Sequence, residues 1–116
     1  MDNFDIPIFK KTYDLYKTFH EFRSLVPKKD RYTIFERCEN ILLDVIEGIL
    51  LASGQRKQEK VPALETVSSK LNLLRVLVRL MKDIKAIDAK KYVILESAID
   101  EVGRMLGGWI RSIKPA

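Results

Sequence analysis

The sequence predicts an all-α protein, an up-down-up-down antiparallel four-helix bundle built as one domain over residues 1–116. Three observations lead there. Apolar residues recur every three or four positions in four successive stretches, and no run shows the two-residue alternation of a strand. Only five glycines and four prolines occur, among many Leu, Ile, Lys and Glu, a composition suited to long helices. The connections are short, so consecutive helices must lie side by side and antiparallel.

The first helix is expected over about 6–25. Ile8, Thr12, Leu15/Tyr16, Phe19, Phe22/Arg23 and Val26 form its stripe, and Pro27 stops it. His20, the sole histidine, sits at the edge of that stripe among aromatics and reads as a packing residue. The second helix is expected over 31–53 with Asp30 as N-cap. Phe35, Cys38, Leu42, Val45, Ile49 and Ala52 make its buried face. Leu43 and Leu51 interrupt an opposite face of Glu36, Asn40, Asp44 and Glu47, which points to a contact beyond the protomer core. Gly48 inside this helix implies a closely packed neighbour.

Gln55 to Lys60 has no apolar residue and reads as an exposed basic loop. Pro62 then suits the first turn of a third helix over about 61–86. That helix carries two apolar seams, roughly 130° apart at its period. One is Leu64, Val67, Leu71, Leu74, Val78 and Met81; the other is Leu73, Leu77, Leu80, Ile84 and Ile87. A second seam exceeds what a lone bundle helix buries, so the helix is either central or part of an oligomer interface. Its remaining face bears Ser68, Asn72, Arg75, Arg79 and Lys82. The fourth helix is expected over 88–114, capped by Asp88 and stopped by Pro115, with Tyr92, Leu95, Ile99, Val102, Leu106, Trp109 and Ile113 as its stripe.

Within it, Asp100 to Ser112 contains Gly103, Gly107 and Gly108, each costing a helix interior roughly 1 kcal/mol relative to alanine. The wheel sets Gly103 and Gly107 beside Arg104 and Arg111, giving a smooth basic surface open to close approach. A fraying last turn is the rival explanation.

The net charge is +5, which suits a polyanionic partner. Three groups of basic residues stand out. Arg75, Arg79 and Lys82 share one helix face, Arg104 and Arg111 lie a heptad apart, and Arg56, Lys57 and Lys60 crowd the 55–60 segment. A guanidinium fork matches phosphate oxygens with two parallel hydrogen bonds; the competing reading is a solvated helix surface. Cys38 as the only cysteine allows no intrachain disulfide, which fits a reducing compartment. The N-terminal MDNFDIPIF has no signal-peptide pattern and no apolar run reaches the length of a membrane span. A cytoplasmic protein is the expectation. One histidine and one cysteine supply no metal-ligand cluster, haem attachment or nucleophile–base pair. No catalytic residue, metal or cofactor is expected.

Three segments carry a resemblance. ERCENILLDVIEGILLA (36–52), NLLRVLVRLMKDIKAIDAKKY (72–92) and DEVGRMLGGWIRS (100–112) together resemble the accessory variability determinant (Avd) of diversity-generating retroelements. They are similar also to the wider four-helix-bundle family that includes proteins encoded in 23S rRNA intervening sequences. The likeness extends from about Tyr16 to Lys114, and Gly-Arg-Met-Leu-Gly-Gly-Trp is its most specific part. It implies a protomer assembled as a homopentameric, barrel-like ring. It also implies binding to the element's reverse transcriptase and to RNA or DNA through a basic surface, with catalysis left to that enzyme. Arg75, Arg79, Arg104 and Arg111 match the basic family pattern by position. Lys82, Arg56, Lys57 and Lys60 come from local charge alone. The other reading is a structural oligomer of the intervening-sequence type with no reverse-transcriptase partner.

Overall fold

Pro7 occupies the first position of the first helix, where a residue without an N–H leaves no hydrogen bond unmade. In the computed structural model, which describes residues 6–114, this helix, α1, runs Pro7–Glu21. It is followed by α2 (residues 28–53), α3 (Lys57–Asp83) and α4 (Ala89–Ile113). Among the described residues there is no strand. Pro115, the expected stop of the last helix, and residues 1–5 lie outside the described residues.

Each helix end has a local cause. Pro27 forces Val26 into an extended conformation (ψ 136°). The expected helix to residue 25 therefore ends at Glu21 and tightens into a 3-10 turn, Arg23–Leu25. The second helix begins at Lys28, earlier than Asp30 suggested, because the Pro27 carbonyl already accepts from Asp30 and Arg31 N–H (2.9 and 3.0 Å). Asp30 makes no side-chain cap, and Arg31–Phe35 is wound as π-helix before α-geometry resumes over Glu36–Ser53.

The third helix also starts early. Lys57 to Lys60 are good helix formers with no breaker among them, and Arg56 holds Glu59 at 2.8 Å across the first turn. The basic segment is thus helix rather than loop, and Pro62 falls inside it, so the Gln58 carbonyl lacks its usual partner. At the other end Lys85 adopts a left-handed backbone (φ 65°). Ala86 N–H bonds the Met81 carbonyl at 2.8 Å and Lys85 N–H the Lys82 carbonyl at 3.0 Å. These two bonds make a Schellman motif that ends α3 at Asp83, three residues before the expected stop. Asp88 caps α4 as expected, its Oδ1 accepting from Lys91 N–H at 2.8 Å.

Helices contact one another in cyclic order, α1 with α2, α2 with α3, α3 with α4, and α4 with α1. Cross-helix pairs run in reversed numbering. Along α2 and α3, Asp44 meets Lys70 and Gly48 meets Val67; along α3 and α4, Lys82 meets Tyr92, Arg75 meets Asp100 and Glu65 meets Lys114. The core lies between all four. The first seam of α3 is buried throughout, as are Leu95, Ile99, Val102 and Leu106 of α4. Phe19 of α1 stacks on Phe35 of α2 with centroids 4.3 Å apart. The second seam of α3 divides: Ile87 is buried and Leu77 half-buried, while Leu73, Leu80 and Ile84 remain exposed. Leu43 and Leu51 of α2 are exposed as well.

Candidate nucleic-acid interface

Because α3 and α4 run past one another in reversed order, their outward polar faces share one groove. Its centre is a cleft of about 330 Å³ lined by Ser68, Asn72, Arg75, Asp100, Gly103 and Arg104. Arg75 lies across it. Its Nε stands 3.2 Å from Asp100 Oδ1, and its Nη1 donates to Asn72 Oδ1 at 2.9 Å. A Cβ on Gly103 would come within 3.0 Å of Arg75 Nη2. What approaches this glycine inside the chain is therefore a guanidinium. Gly107 makes similar room for Arg111, whose Nη1 would be 3.3 Å from an added Cβ, whereas a Cβ on Gly108 would be in ordinary van der Waals contact with Nη2 at 3.9 Å.

Towards the α3–α4 connection, Arg79 pairs with Asp83 at 3.5 Å. Lys82 places its ammonium over the Tyr92 ring, 4.6 Å from the centroid. Tyr92 donates its hydroxyl to Glu96. That hydrogen bond, with burial and the Glu96 charge, raises the phenol above its ordinary value, against the opposing pull of Arg79. Tyr92 is therefore a neutral donor at physiological pH. Arg104 and Arg111 are exposed and have no ion pair among the described residues.

The third basic group stands apart. Arg56 is tied to Glu59, and Lys60 reaches back to the Ser53 carbonyl (3.4 Å) while lying 5.8 Å from the Trp109 ring centroid. Lys57 and Lys114 flank a separate cavity of about 660 Å³ with Val61, Pro62 and Ile113. The structure thus brings Arg75, Arg79, Lys82 and Arg104 onto one groove. It sets Arg111 farther along α4 and puts Arg56, Lys57 and Lys60 at the α2–α3 end, about 33–39 Å from Lys82 by helical rise.

Two features escaped the sequence reading. Asp100, 25 positions from Arg75 along the chain, is the counter-ion of the central arginine. Glu39 is buried (7% exposed) on the α1-facing side of α2, where it accepts from Arg23 and lies 3.5 Å from His20 Nδ1. Its place four residues after Phe35 and three before Leu42 was the available signal. His20 itself is mostly exposed and stacks on Tyr16. Cys38 is buried, and burial pushes its thiol up to about 12, so it carries no thiolate at neutral pH. Among the described residues, no helix is long and apolar enough to cross a membrane.

No curated protein matches the chain. A protein-family profile described as bAvd-like matches residues 7–113, which takes in all four helices and every basic residue of the groove. The chain belongs to the bAvd-like family.

Proposed function

We propose that this protein is a non-enzymatic accessory subunit of a diversity-generating retroelement. It would act in the cytoplasm as a homopentameric ring of up-down-up-down antiparallel four-helix protomers. In that role it holds the element's reverse transcriptase together with template RNA or cDNA during mutagenic retrohoming. The observation that carries this reading is the bAvd-like match over residues 7–113. Reversed numbering of the contacts between neighbouring helices supports the protomer topology.

Two features support the partners. A ring built by rotation needs two different faces on each protomer. This chain offers exposed Leu43 and Leu51 among Glu36, Asp44 and Glu47 on α2, and exposed Leu73 and Leu80 on α3 with Ile84 at its C-cap. The α3–α4 groove offers a row of cations, Arg75, Arg79, Lys82 and Arg104, along one surface. A single protomer makes few phosphate contacts and binds weakly, whereas a ring repeats the groove and gains avidity.

The decisive experiment is co-purification with the reverse transcriptase encoded beside the gene, together with retention of labelled RNA at low salt. Charge reversal at Arg75→Glu with Arg79→Glu is expected to weaken RNA retention while leaving helical content unchanged. Full retention by that double variant would remove the groove from the proposal. A gene with no reverse transcriptase and no template/variable repeat pair nearby would favour a structural oligomer of the intervening-sequence type.

A further inference from the structure

The arginines along α3 and α4 are not equivalent. Arg75 and Arg79 each have a carboxylate, Asp100 and Asp83 respectively, whereas Arg104 and Arg111 have none among the described residues. Arg75 is the most restrained of the four. Asp100 engages its Nε, Asn72 its Nη1, and Nη2 is pressed into the notch left by Gly103. Asp100 lies one helical turn before Arg104 on the same cleft wall, so its carboxylate stands where a phosphate bridging Arg75 and Arg104 would have to come.

We propose that Asp100 sets how tightly the groove holds a nucleic-acid backbone, by competing with a phosphate diester for the Arg75 guanidinium across the Gly103 notch. Arg104 on the groove and Arg111 farther along α4 make the standing contacts; Arg75 joins only when a phosphate displaces Asp100. The exchange is feasible because both partners are about two-fifths exposed (39% and 45%), and ion pairs in that setting are weak and screened. Asp100 is a positioning residue, acting through Arg75. This inference rests on the nucleic-acid reading proposed above.

The test measures anisotropy of a short fluorescein-labelled RNA over a salt series. Asp100→Asn releases one cation. It is expected to tighten binding about threefold at low salt and to steepen the slope of log K against log salt by about 0.7. Glu101→Gln is the control. It removes the same charge from the next residue, but Glu101 faces α1 and pairs with Lys11 at 3.2 Å. Gly103→Ala provides a charge-neutral route, since its Cβ displaces Arg75 Nη2 from the notch, and it is expected to move binding in the same direction as Asp100→Asn. Arg75→Gln should cost little in the wild-type background and cancel the gain in the Asp100→Asn background.

Equal tightening by Asp100→Asn and Glu101→Gln would overturn the inference, showing only net charge. So would an Arg75→Gln cost that is the same in both backgrounds. In either case wild-type RNA binding would leave the broader reading intact. RNA held by neither the wild type nor Asp100→Asn would sink both.

Discussion

Gly48 of α2 and Val67 of α3 meet so closely that a Cβ on Gly48 would collide with the Val67 Cγ2 methyl. Val67 is itself buried and cannot swing away. Gly48→Ala gains up to ~1 kcal/mol of helix propensity but incurs about 1–3 kcal/mol of overpacking. The expected net loss is about 1 kcal/mol, or roughly 3–5 °C in Tm. Thermal unfolding followed by circular dichroism checks it, and adding Val67→Ala should recover part of the loss by making room. An unchanged Tm for Gly48→Ala would mean that the overpacking against Val67 costs no more than the helix propensity gained.

Lys85 takes the left-handed position of the Schellman motif that glycine normally fills. An L-residue there costs about 1–2 kcal/mol, partly offset on substitution by the greater freedom of glycine in the unfolded chain. Lys85→Gly is expected to raise stability by about 1 kcal/mol, and Lys85→Val to lower it. Denaturant midpoints of the two variants should fall on opposite sides of the wild type.

The Lys91 side chain and backbone N–H, both hydrogen-bonded to Asp88, hold its carboxyl below the usual carboxylate value. Its folded pKa is thus depressed relative to the unfolded chain. The cap therefore contributes its full stability above the unfolded value, near pH 4, and loses it as pH falls through the folded one. Asp88→Asn keeps a capping oxygen but no titrating group. The difference in Tm between wild type and Asp88→Asn should narrow on acidification below pH 4 and stay constant at neutral pH.

Leu51 and Leu73 are exposed, at 59% and 39%, on helices whose other faces form the core. If these faces meet between protomers, Leu51→Glu and Leu73→Glu should each shift the mass in light scattering towards the 13.5 kDa single chain. Helical content should stay the same, since neither residue packs inside. A wild-type chain that already scatters at 13.5 kDa in micromolar solution would exclude the ring.

The fold was legible because helical periodicity is a local property. The first seam of α3, Leu64 through Met81, was readable as a stripe and is buried along its whole length. Asp88 was readable as a cap because an N-cap needs only its own next turn. The ends depended on finer competition. Lys57 to Lys60 looked like loop because they lack apolar residues, yet nothing in them breaks a helix once Arg56 and Glu59 pair. Lys85 hid a helix stop because the left-handed signal usually comes from glycine.

The sequence by itself determined four amphipathic helices, their order, the excess apolar seam of α3 and the presence of basic residues at helical spacing. These follow from the chemistry of neighbouring residues along one chain. Tertiary structure decided which charges remain available. Asp100 and Arg75 are 25 positions apart, and only the packing of α4 on α3 makes one the counter-ion of the other. The same packing pressed Arg75 into the Gly103 notch, and the packing of α1 on α2 buried Glu39 beside Arg23. A charge count along the chain treats every arginine alike; distance in space divides them into those with a carboxylate partner and those without one among the described residues.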